Sequence, residues 1–377
     1  MSASRCPTIA CLARALALLA ALASRCPAAD APGADVPRVH HVFLIVLENA
    51  SFGVTFGARS PAPFLARELT GKGALLAQYH AIGHNSLGNY VAMVSGQAPN
   101  QATQSDCVFY SEFVLRSPTL DPHGQALGSG CVYPKLVPTI LDQLEGAQFS
   151  WRAYMEDMGR DPARESRTCA HSPLGGPERL LEATPIDGYA VRHNPFMYFH
   201  AIIDDAPRCH THVVNLEELP RDLTSIASTP NFVFITPNLC HDGHDNPCAS
   251  GEPGGLAAAD AFLRRWVPLI VASDAFRRDG LLIITFDESD TAGPEAVTAC
   301  CGERGLPGNR YPPGLAGPGG GRIGAVLLGP AIRAGAVSDV PYNHYSLLRT
   351  LELAFGLSPL GFAADPGLAT FGSDVFR

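Results

Sequence analysis

Side chains that can bind a metal ion follow each of the four most apolar segments of this sequence. They are carboxylates, one amide and imidazoles, namely Glu48 and Asn49, His241, Asp242, His244 and Asp245, Asp287 and Glu288, and His344. Carboxylates together with imidazoles suit Zn²⁺ or Mn²⁺, whereas oxygen ligands alone suit Mg²⁺ or Ca²⁺. A single residue of this kind is usually a turn or cap residue, so the prediction depends on all four clusters. Together they predict a site for one or two divalent metal ions.

A candidate nucleophile, Ser86, stands in the segment GHNSLGNYVAMVSG, directly ahead of an apolar helical pattern. The start of a helix offers free backbone N–H groups and a positive dipole end, and both favour a bound phosphate. A serine hydroxyl is a weak nucleophile at neutral pH, so it needs a base or a metal ion to activate it. Attack by Ser86 on a phosphate ester is one interpretation, and a purely structural N-cap is the other.

The four apolar segments predict buried strands at residues 42–47, 231–236, 281–286 and 323–328. Helical patterns lie between and after them, at 87–94, 137–145, 256–272 and 346–355. This alternation predicts an α/β fold with a mainly parallel central sheet and helices on both faces. Ligands bind at the carboxyl ends of the strands in such sheets, so we expect the metal-binding clusters to meet at one edge. Residues 100–224 are rich in Pro, Gly, Cys and His, and we expect cysteine-linked excursions there.

The first 29 residues predict a signal peptide. Arg5 and Arg14 precede the short apolar run ALALLAALA, and small residues with a proline follow it. A bilayer-spanning helix needs about 20 apolar residues, so an uncleaved membrane anchor is the less favoured alternative. No later segment predicts a membrane span. We therefore expect a secreted or periplasmic protein with one catalytic domain at residues 38–372.

Cysteine usage agrees with export, and the net charge restricts the ligands. Eight cysteines follow the predicted signal peptide, and an even number favours disulfides in an exported chain. The simplest pairing joins Cys107 with Cys131, Cys169 with Cys209 and Cys240 with Cys248, and it leaves Cys300 and Cys301 to form a vicinal bridge or pair elsewhere. A formal net charge of -9 argues against nucleic-acid binding. It does not exclude a small phosphorylated substrate in a metal-lined cleft.

Six segments, in order along the chain, resemble the motifs of a known family. They are LIVLENASF, HNSLGNYVAMVSG, VRHNPFMYF, FITPNLCHDGHD, LLIITFDES and NHYSLLRTLELAFGL. On these motifs the chain resembles the bacterial phosphoesterase family of acid phosphatases and phospholipases C, within the alkaline phosphatase superfamily. The resemblance runs from about Val42 to Leu357 and implies an alkaline-phosphatase-like three-layer sandwich.

The resemblance implies a role for the acidic residues and the serine. Glu48, Asn49, Asp287 and Glu288 would hold one metal ion together with the Oγ atom of Ser86. Ser86 would attack phosphorus and form a phosphoserine intermediate, which water would then hydrolyse.

The resemblance also implies substrate-binding residues, namely Asn89, His193, His244 and His344. His193 or His244 would contact phosphoryl oxygens or protonate the leaving group, although His193 could also be a turn residue. Asp242 and His344 would form a possible second metal site.

Three functions remain open on the sequence alone. Hydrolysis of phosphate monoesters, as in acid phosphatases, is the leading hypothesis. Phospholipase C or another phosphodiesterase is the second, with a phospholipid head group as substrate. Residues 289–292 (SDTA) replace the Gly-rich residues and Asp-His pair that many of the phospholipases carry there, which disfavours a phosphatidylcholine-type substrate. A secreted protein that binds a phosphate ligand without turnover is the third.

Overall fold

The computed structural model describes residues 36–377, and an eight-stranded sheet lies at its centre. Its strands are β1 (His41–Leu47), β2 (Ala74–Leu76), β3 (Trp151–Met155), β4 (Val213–Asn215), β5 (Phe232–Thr236), β6 (Gly280–Phe286), β7 (Ala325–Leu328) and β8 (Ala336–Ser338). They are ordered β8-β2-β7-β6-β1-β5-β3-β4 across the sheet. The predicted signal peptide, residues 1–29, lies outside the described residues.

The sheet is mixed, with one strand running against the others. β1 pairs in parallel with both β5 and β6, β3 pairs in parallel with β5 and β4, and β2 pairs in parallel with β8. β7 is antiparallel to both of its neighbours, β6 and β2. The predicted strand at 323–328 is therefore present, but its carboxyl end points to the opposite edge from the other three predicted strands.

Four helices lie at the predicted positions, namely α1 (Ser86–Ser95), α2 (Ile140–Gly146), α3 (Gly255–Ala272) and α5 (His344–Phe355), and α4 (Asp274–Asp279) follows α3. Further helical segments lie at Phe52–Phe56, Phe64–Leu69, Thr70–Lys72, Thr103–Ser105, Val191–His193, Pro195–Tyr198, His200–Ile203, Ala206–His212, Leu216–Glu218, Leu219–Asp222 and Gly361–Ala364. No helix within residues 36–377 is long and apolar enough to cross a bilayer.

Helices cover both faces of the sheet, as predicted. Every residue of β1 and of β6 is buried, which explains why these strands are continuously apolar. Phe43 packs against Phe276 of α4, with 6.2 Å between ring centroids. Phe234, the register partner of Leu44, packs against Tyr90 of α1 at 6.3 Å. Because successive residues of a strand point to opposite faces, α1 and α4 lie on opposite sides.

The middle of the chain contributes more to the sheet than the sequence predicted. β3 and β4 extend the sheet beyond β5, so residues 100–224 are not only excursions over it. Four disulfides occur in the described residues, joining Cys107 to Cys131, Cys169 to Cys209, Cys240 to Cys248 and Cys300 to Cys301. The predicted sequential pairing is the one observed, with a vicinal bridge at the last pair.

Candidate active site

The predicted nucleophile and acidic residues meet at one edge of the sheet. Glu48 follows the last residue of β1, and Asp287 follows the last residue of the neighbouring parallel strand β6. The Oγ atom of Ser86 donates a hydrogen bond to Glu48 Oε2 at 3.0 Å. The convergence expected from parallel strand ends is therefore present for these residues.

Ser86 is the first residue of α1, not its N-cap. Asn85 occupies the cap position with a φ of 65°, a left-handed conformation that Asn adopts more readily than most residues. This sharp entry directs Ser86 into the site. The N–H of Leu87 is not free, because it donates to Asp106 Oδ1 at 2.9 Å.

Glu48 is held by groups from two other elements. Tyr90, one turn after Ser86, donates its hydroxyl to Glu48 Oε1 at 2.8 Å, and its ring stacks on His193. His193 places Nε2 3.2 Å from Glu48 Oε1 and bonds through Nδ1 to Asp242 Oδ2 at 3.1 Å. Glu48, His193 and Asp242 each bring a donor atom within 4.8 Å of the others.

The Asp242 loop is fixed to the end of β1. The N–H of Glu48 donates to the carbonyl of Asp242 at 2.9 Å, and Asp242 Oδ1 accepts from the N–H of His244 at 2.8 Å. The Cys240–Cys248 bridge closes the same loop. Backbone and disulfide contacts therefore position the carboxylate that holds His193.

Asn49 and Asp287 form a second contact between the strand ends. Asn49 has a φ of 53°, and its N–H donates to Asp287 Oδ1 at 3.2 Å. The same oxygen accepts from the N–H of Glu288 at 2.6 Å. The other oxygen, Asp287 Oδ2, is buried and lacks a hydrogen-bond partner among residues 36–377. An orphaned buried carboxylate oxygen is costly unless a ligand or ion meets it.

Glu288 contacts a different set of residues. Its Oε2 atom lies 3.2 Å from Nδ1 of His84 and 3.4 Å from Nδ2 of Asn89. The Asn89 side chain also accepts from the N–H groups of Ile82 and Gly83 at 3.1 Å. Asn89 therefore supports the loop before the nucleophile in addition to facing Glu288.

His344 is buried but has both ring nitrogens engaged. Nε2 bonds to the carbonyl oxygen of Asp287 at 2.6 Å, and Nδ1 bonds to the hydroxyl of Tyr79 at 3.0 Å. A carbonyl oxygen only accepts, so Nε2 carries the proton and Nδ1 accepts from Tyr79. Burial lowers the pKa of His344 to about 4, which keeps it neutral. With both ring nitrogens engaged, His344 has no free lone pair for the second metal site predicted with Asp242.

The remaining predicted histidines and acids lie around this centre. His244 bonds through Nδ1 to Asp245 at 2.8 Å, and its Nε2 atom lies 3.1 Å from Nη2 of Arg192. His241 bonds instead to Glu156 at 2.9 Å. Asp245 and His241 thus support the loop, and His244 is the member of this group that faces the centre.

The centre concentrates negative charge in a buried space. Glu48, Asp242 and Asp287 are fully buried and Glu288 is 5% exposed. Burial raises the pKa of Glu48, and the charges of Asp287 and Asp242 raise it further. Burial likewise raises the pKa of Asp242 and that of Asp287. Several buried carboxyl groups this close together can all be ionised only beside a compensating cation.

The donor atoms fit a divalent metal ion. Burial and the nearby charge of Arg192 lower the pKa of His193, so its ring is neutral. Because Nδ1 donates to Asp242, the lone pair on Nε2 faces Glu48 Oε1 at 3.2 Å without hydrogen-bond geometry. Two lone pairs repel at that distance unless a cation lies between them. Carboxylate and imidazole donors are the set that Zn²⁺ and Mn²⁺ accept.

Four residues of the site were not found by the sequence analysis. Tyr90 lies at the i+4 position from Ser86, on the same helix face, and Arg192 precedes His193 in a motif already noted, so both had a usable signal. His84 also lies in a noted motif. Asp106 had no signal, because its role depends on a loop that only the fold brings to α1.

Comparison with known proteins gives first the fold and then the family. A protein of the alkaline phosphatase superfamily from Vibrio parahaemolyticus matches with a TM-score of 0.50 and 13% identity, over 89% of this chain and 72% of that one. The model of the Phosphoesterase family matches residues 58–358. The chain therefore belongs to the Phosphoesterase family, and the resemblance seen in its motifs is confirmed.

Relatives in this family come from fungi and bacteria. The phosphate-repressible acid phosphatase of Penicillium chrysogenum is 28% identical, over 78% of this chain and 55% of its own length. A probable acid phosphatase of Kluyveromyces lactis is 25% identical, over 88% of this chain and 61% of its own. A phosphatidylinositol-3-phosphatase of Mycobacterium tuberculosis is 26% identical, over 93% and 88%. This chain thus spans less than two thirds of the two fungal proteins.

Proposed function

We propose that this chain is a secreted or periplasmic, metal-dependent phosphoesterase that hydrolyses phosphate monoesters through a phosphoserine on Ser86. The observation that carries the proposal is the contact of Ser86 Oγ with Glu48 inside a cluster of buried acids. Family membership and acid phosphatases among the relatives support the reaction class. Residues 38–372 would form the catalytic domain.

The metal ligands we propose differ in part from the sequence prediction. Glu48, Asp287 and Ser86 Oγ are kept, and His193 Nε2 is added because its lone pair faces Glu48. Asp242 would orient His193 through Nδ1, an arrangement common for histidines that bind metals. When bound, a divalent ion lowers the pKa of a coordinated hydroxyl and neutralises phosphoryl oxygens.

The chain's own residues define the geometry of attack. Ser86 Oγ donates to Glu48, which leaves oxygen lone pairs free to attack phosphorus. The bond from Ser86 Oγ to phosphorus forms while the bond from phosphorus to the ester oxygen breaks. The Ser86 proton passes to Glu48, its hydrogen-bond acceptor, and the leaving alkoxide takes up one proton from solvent. Water then attacks the phosphoserine, restores the Ser86 hydroxyl and releases inorganic phosphate.

A phosphorylated lipid head group is a second substrate class. The mycobacterial relative, named a phosphatidylinositol-3-phosphatase, matches over nearly the whole of both chains. A phosphate monoester on an inositol ring would present the same phosphoryl group to Ser86 as a small soluble monoester. The same catalytic centre therefore serves both substrates, and the difference lies in the surface around it.

The proposal is tested with p-nitrophenyl phosphate, with and without a chelator. We expect chelation to abolish turnover and Ser86→Ala to lower kcat by about 10⁴-fold or more. Ser95→Ala is the matched control, because Ser95 ends the same helix and its hydroxyl bonds to backbone groups, the carbonyl of Val91 and the N–H of Gln97. Unchanged turnover in Ser86→Ala would disprove the nucleophile, and phosphate binding without turnover would identify a binding protein.

A further inference from the structure

Arg192 brings a buried positive charge into the candidate active site. The residue is 4% exposed, and it lies in the turn directly before His193. The guanidinium lowers the pKa of Glu48, of Asp242 and of Asp106, although burial raises all three more strongly. Among residues 36–377, the contact of Arg192 Nε with Asp106 Oδ2 at 4.0 Å is the one ion pair that a lysine or arginine makes with these three acids.

The guanidinium is held without being neutralised by a hydrogen-bonded partner. Nη1 donates to the carbonyl of Leu181, and Nη2 lies 3.1 Å from His244 Nε2. The nearest carboxylate oxygen, Asp106 Oδ2, is 4.0 Å from Nε, which is too long for a hydrogen bond. A guanidinium carries five N–H groups, so several donors remain for a ligand.

Asp106 connects this charge to the nucleophile helix. Its Oδ1 atom accepts from the N–H of Leu87, the residue after Ser86, while Oδ2 faces Arg192. Asp106 and Cys107 both have left-handed backbones, with φ of 49° and 51°, and the bridge from Cys107 to Cys131 anchors them. The loop therefore holds the Asp106 carboxylate between Arg192 and the entrance of α1.

The contact between Arg192 and His244 also assigns the tautomer of His244. A guanidinium cannot accept a hydrogen bond, so His244 Nε2 accepts from Arg192 and Nδ1 donates to Asp245. His244 therefore presents no free N–H from Nε2, and it does not suit the proton-donor role expected from the sequence. Arg192 is the donor on this side of the centre.

We propose that Arg192 donates hydrogen bonds to the phosphoryl group of the substrate, and that Asp106 is the positioning residue that holds it beside the nucleophile helix. The inference rests on the proposed function and adds to it a preference for monoesters over diesters. A monoester dianion offers two negative charges and free oxygens, which match the planar fork of a guanidinium. A diester has one charge, and one of these oxygens carries a second organic substituent. Arg192 would therefore favour monoesters.

The test compares two probes on the full chain, p-nitrophenyl phosphate and bis(p-nitrophenyl) phosphate, in Arg192→Lys and Arg192→Ala. We expect kcat/KM for the monoester to fall about 10- to 100-fold, and that for the diester to change by less than about threefold. Inhibition by inorganic phosphate should weaken in parallel. Arg152→Lys is the matched control, since Arg152 belongs to β3 and pairs with Asp222, outside this centre.

Asp106 variants separate positioning from simple loss of structure. Asp106→Asn can still accept from Leu87 but loses its charge toward Arg192, whereas Asp106→Ala loses both contacts. We expect the monoester preference to fall in Asp106→Asn at an unchanged melting temperature, and to fall further in Asp106→Ala. Equal loss on both probes, or a full monoester preference in Arg192→Lys, would overturn the inference. Turnover that survives Ser86→Ala would instead refute the proposed function.

Discussion

Tyr90 joins two parts of the candidate active site through a single side chain. Its hydroxyl donates to Glu48 and its ring stacks on His193 at 5.4 Å. We expect Tyr90→Phe to weaken binding of the activating metal about 10- to 100-fold, because groups that orient metal ligands have effects of this size. Titration of activity with a buffered divalent ion measures the change.

Tyr154→Phe is the control for this prediction. Tyr154, on β3 outside the centre, is also buried and donates to a carboxylate, that of Asp222. The Tyr154→Phe variant should have a lower free energy of unfolding than the wild type and the same affinity for the metal ion. Equal metal affinity in Tyr90→Phe and the wild type would show that Glu48 needs no support from the hydroxyl.

Glu165 should make folding stability depend on pH. Burial, together with a hydrogen bond to Asp187, raises the pKa of Glu165 from 4.5 to about 8. The folded state therefore prefers the protonated acid. The contribution of Glu165 to the free energy of unfolding is fully present below the pKa that Glu165 has in the unfolded chain. It is lost as the pH rises through about 8. Glu165→Gln, which mimics the protonated form, should be more stable than the wild type by about 1–2 kcal/mol at pH 9 and equal to it near pH 4.

Urea unfolding at both pH values tests this expectation. Glu217→Gln serves as the control, because Glu217 is an exposed acid that pairs with Arg167. It should show no such pH dependence. A Glu165→Gln variant that is no more stable than the wild type at pH 9 would place the pKa of Glu165 near its ordinary value.

Single residues were predicted from sequence to the extent that their neighbours in the chain defined them. Glu48 follows a predicted strand and Ser86 precedes a predicted helix, so their places in the elements followed from the pattern, whereas their meeting was implied by the family resemblance. The contacts of His344 could not be predicted, because they depend on the Tyr79 hydroxyl and on a backbone carbonyl. Hydrogen-bond partners that are distant in sequence leave no periodic signal.

At the scale of elements, two helix-terminal glycines should respond in opposite directions to alanine. Gly96 ends α1 with a φ of 68°, and a Cβ there would lie 2.3 Å from the carbonyl oxygen of Leu360. We expect Gly96→Ala to lower the free energy of unfolding by about 2–4 kcal/mol. At Gly146, the last residue of α2, a Cβ would meet nothing within 4 Å. Gly146→Ala should add about 0.5–1 kcal/mol.

Urea midpoints of the two variants provide the measurement. If both glycine variants lose stability, crowding at the end of α1 does not explain the effect at Gly96. Because α1 carries Ser86 at its other end, Gly96→Ala also tests whether strain at one end of the helix reaches the nucleophile.

The longest apolar segments were the elements that the sequence predicted best. The strand predicted at 42–47 is observed at His41–Leu47, and the one at 281–286 at Gly280–Phe286. β2, β4 and β8 have three residues each, which is too short for a periodic pattern. The reversed direction of β7 was also missed, because apolar composition does not encode strand direction.

At the scale of the whole molecule, metal removal should lower stability. The buried carboxylates of Glu48, Asp242 and Asp287 would lose the cation that compensates them. An ion at about 100 times its Kd stabilises the folded state by about 2.7 kcal/mol. We therefore expect a chelator to lower the melting temperature by about 3–8 °C. Calorimetry before and after addition of a divalent ion measures this shift.

A Glu48→Gln variant is the reference for this experiment. It should melt at the same temperature with and without chelator, since it would bind the ion too weakly to gain stability. A wild-type protein whose melting temperature ignores both chelator and added ion would contradict metal binding at this centre.

The reversed direction of β7 has a consequence for how relatives could diverge. Thr285 of β6 pairs with Ala325 of β7, so the chain leaves the sheet after β6 and re-enters it at the same edge. Residues 289–324 thus form a connection that begins directly after the site residues Asp287 and Glu288 and ends where β7 begins. Such a connection can be lengthened, shortened or exchanged with little effect on strand pairing. Evolution could remodel the entrance for new alcohols here while the hydrolytic machinery beneath stays the same.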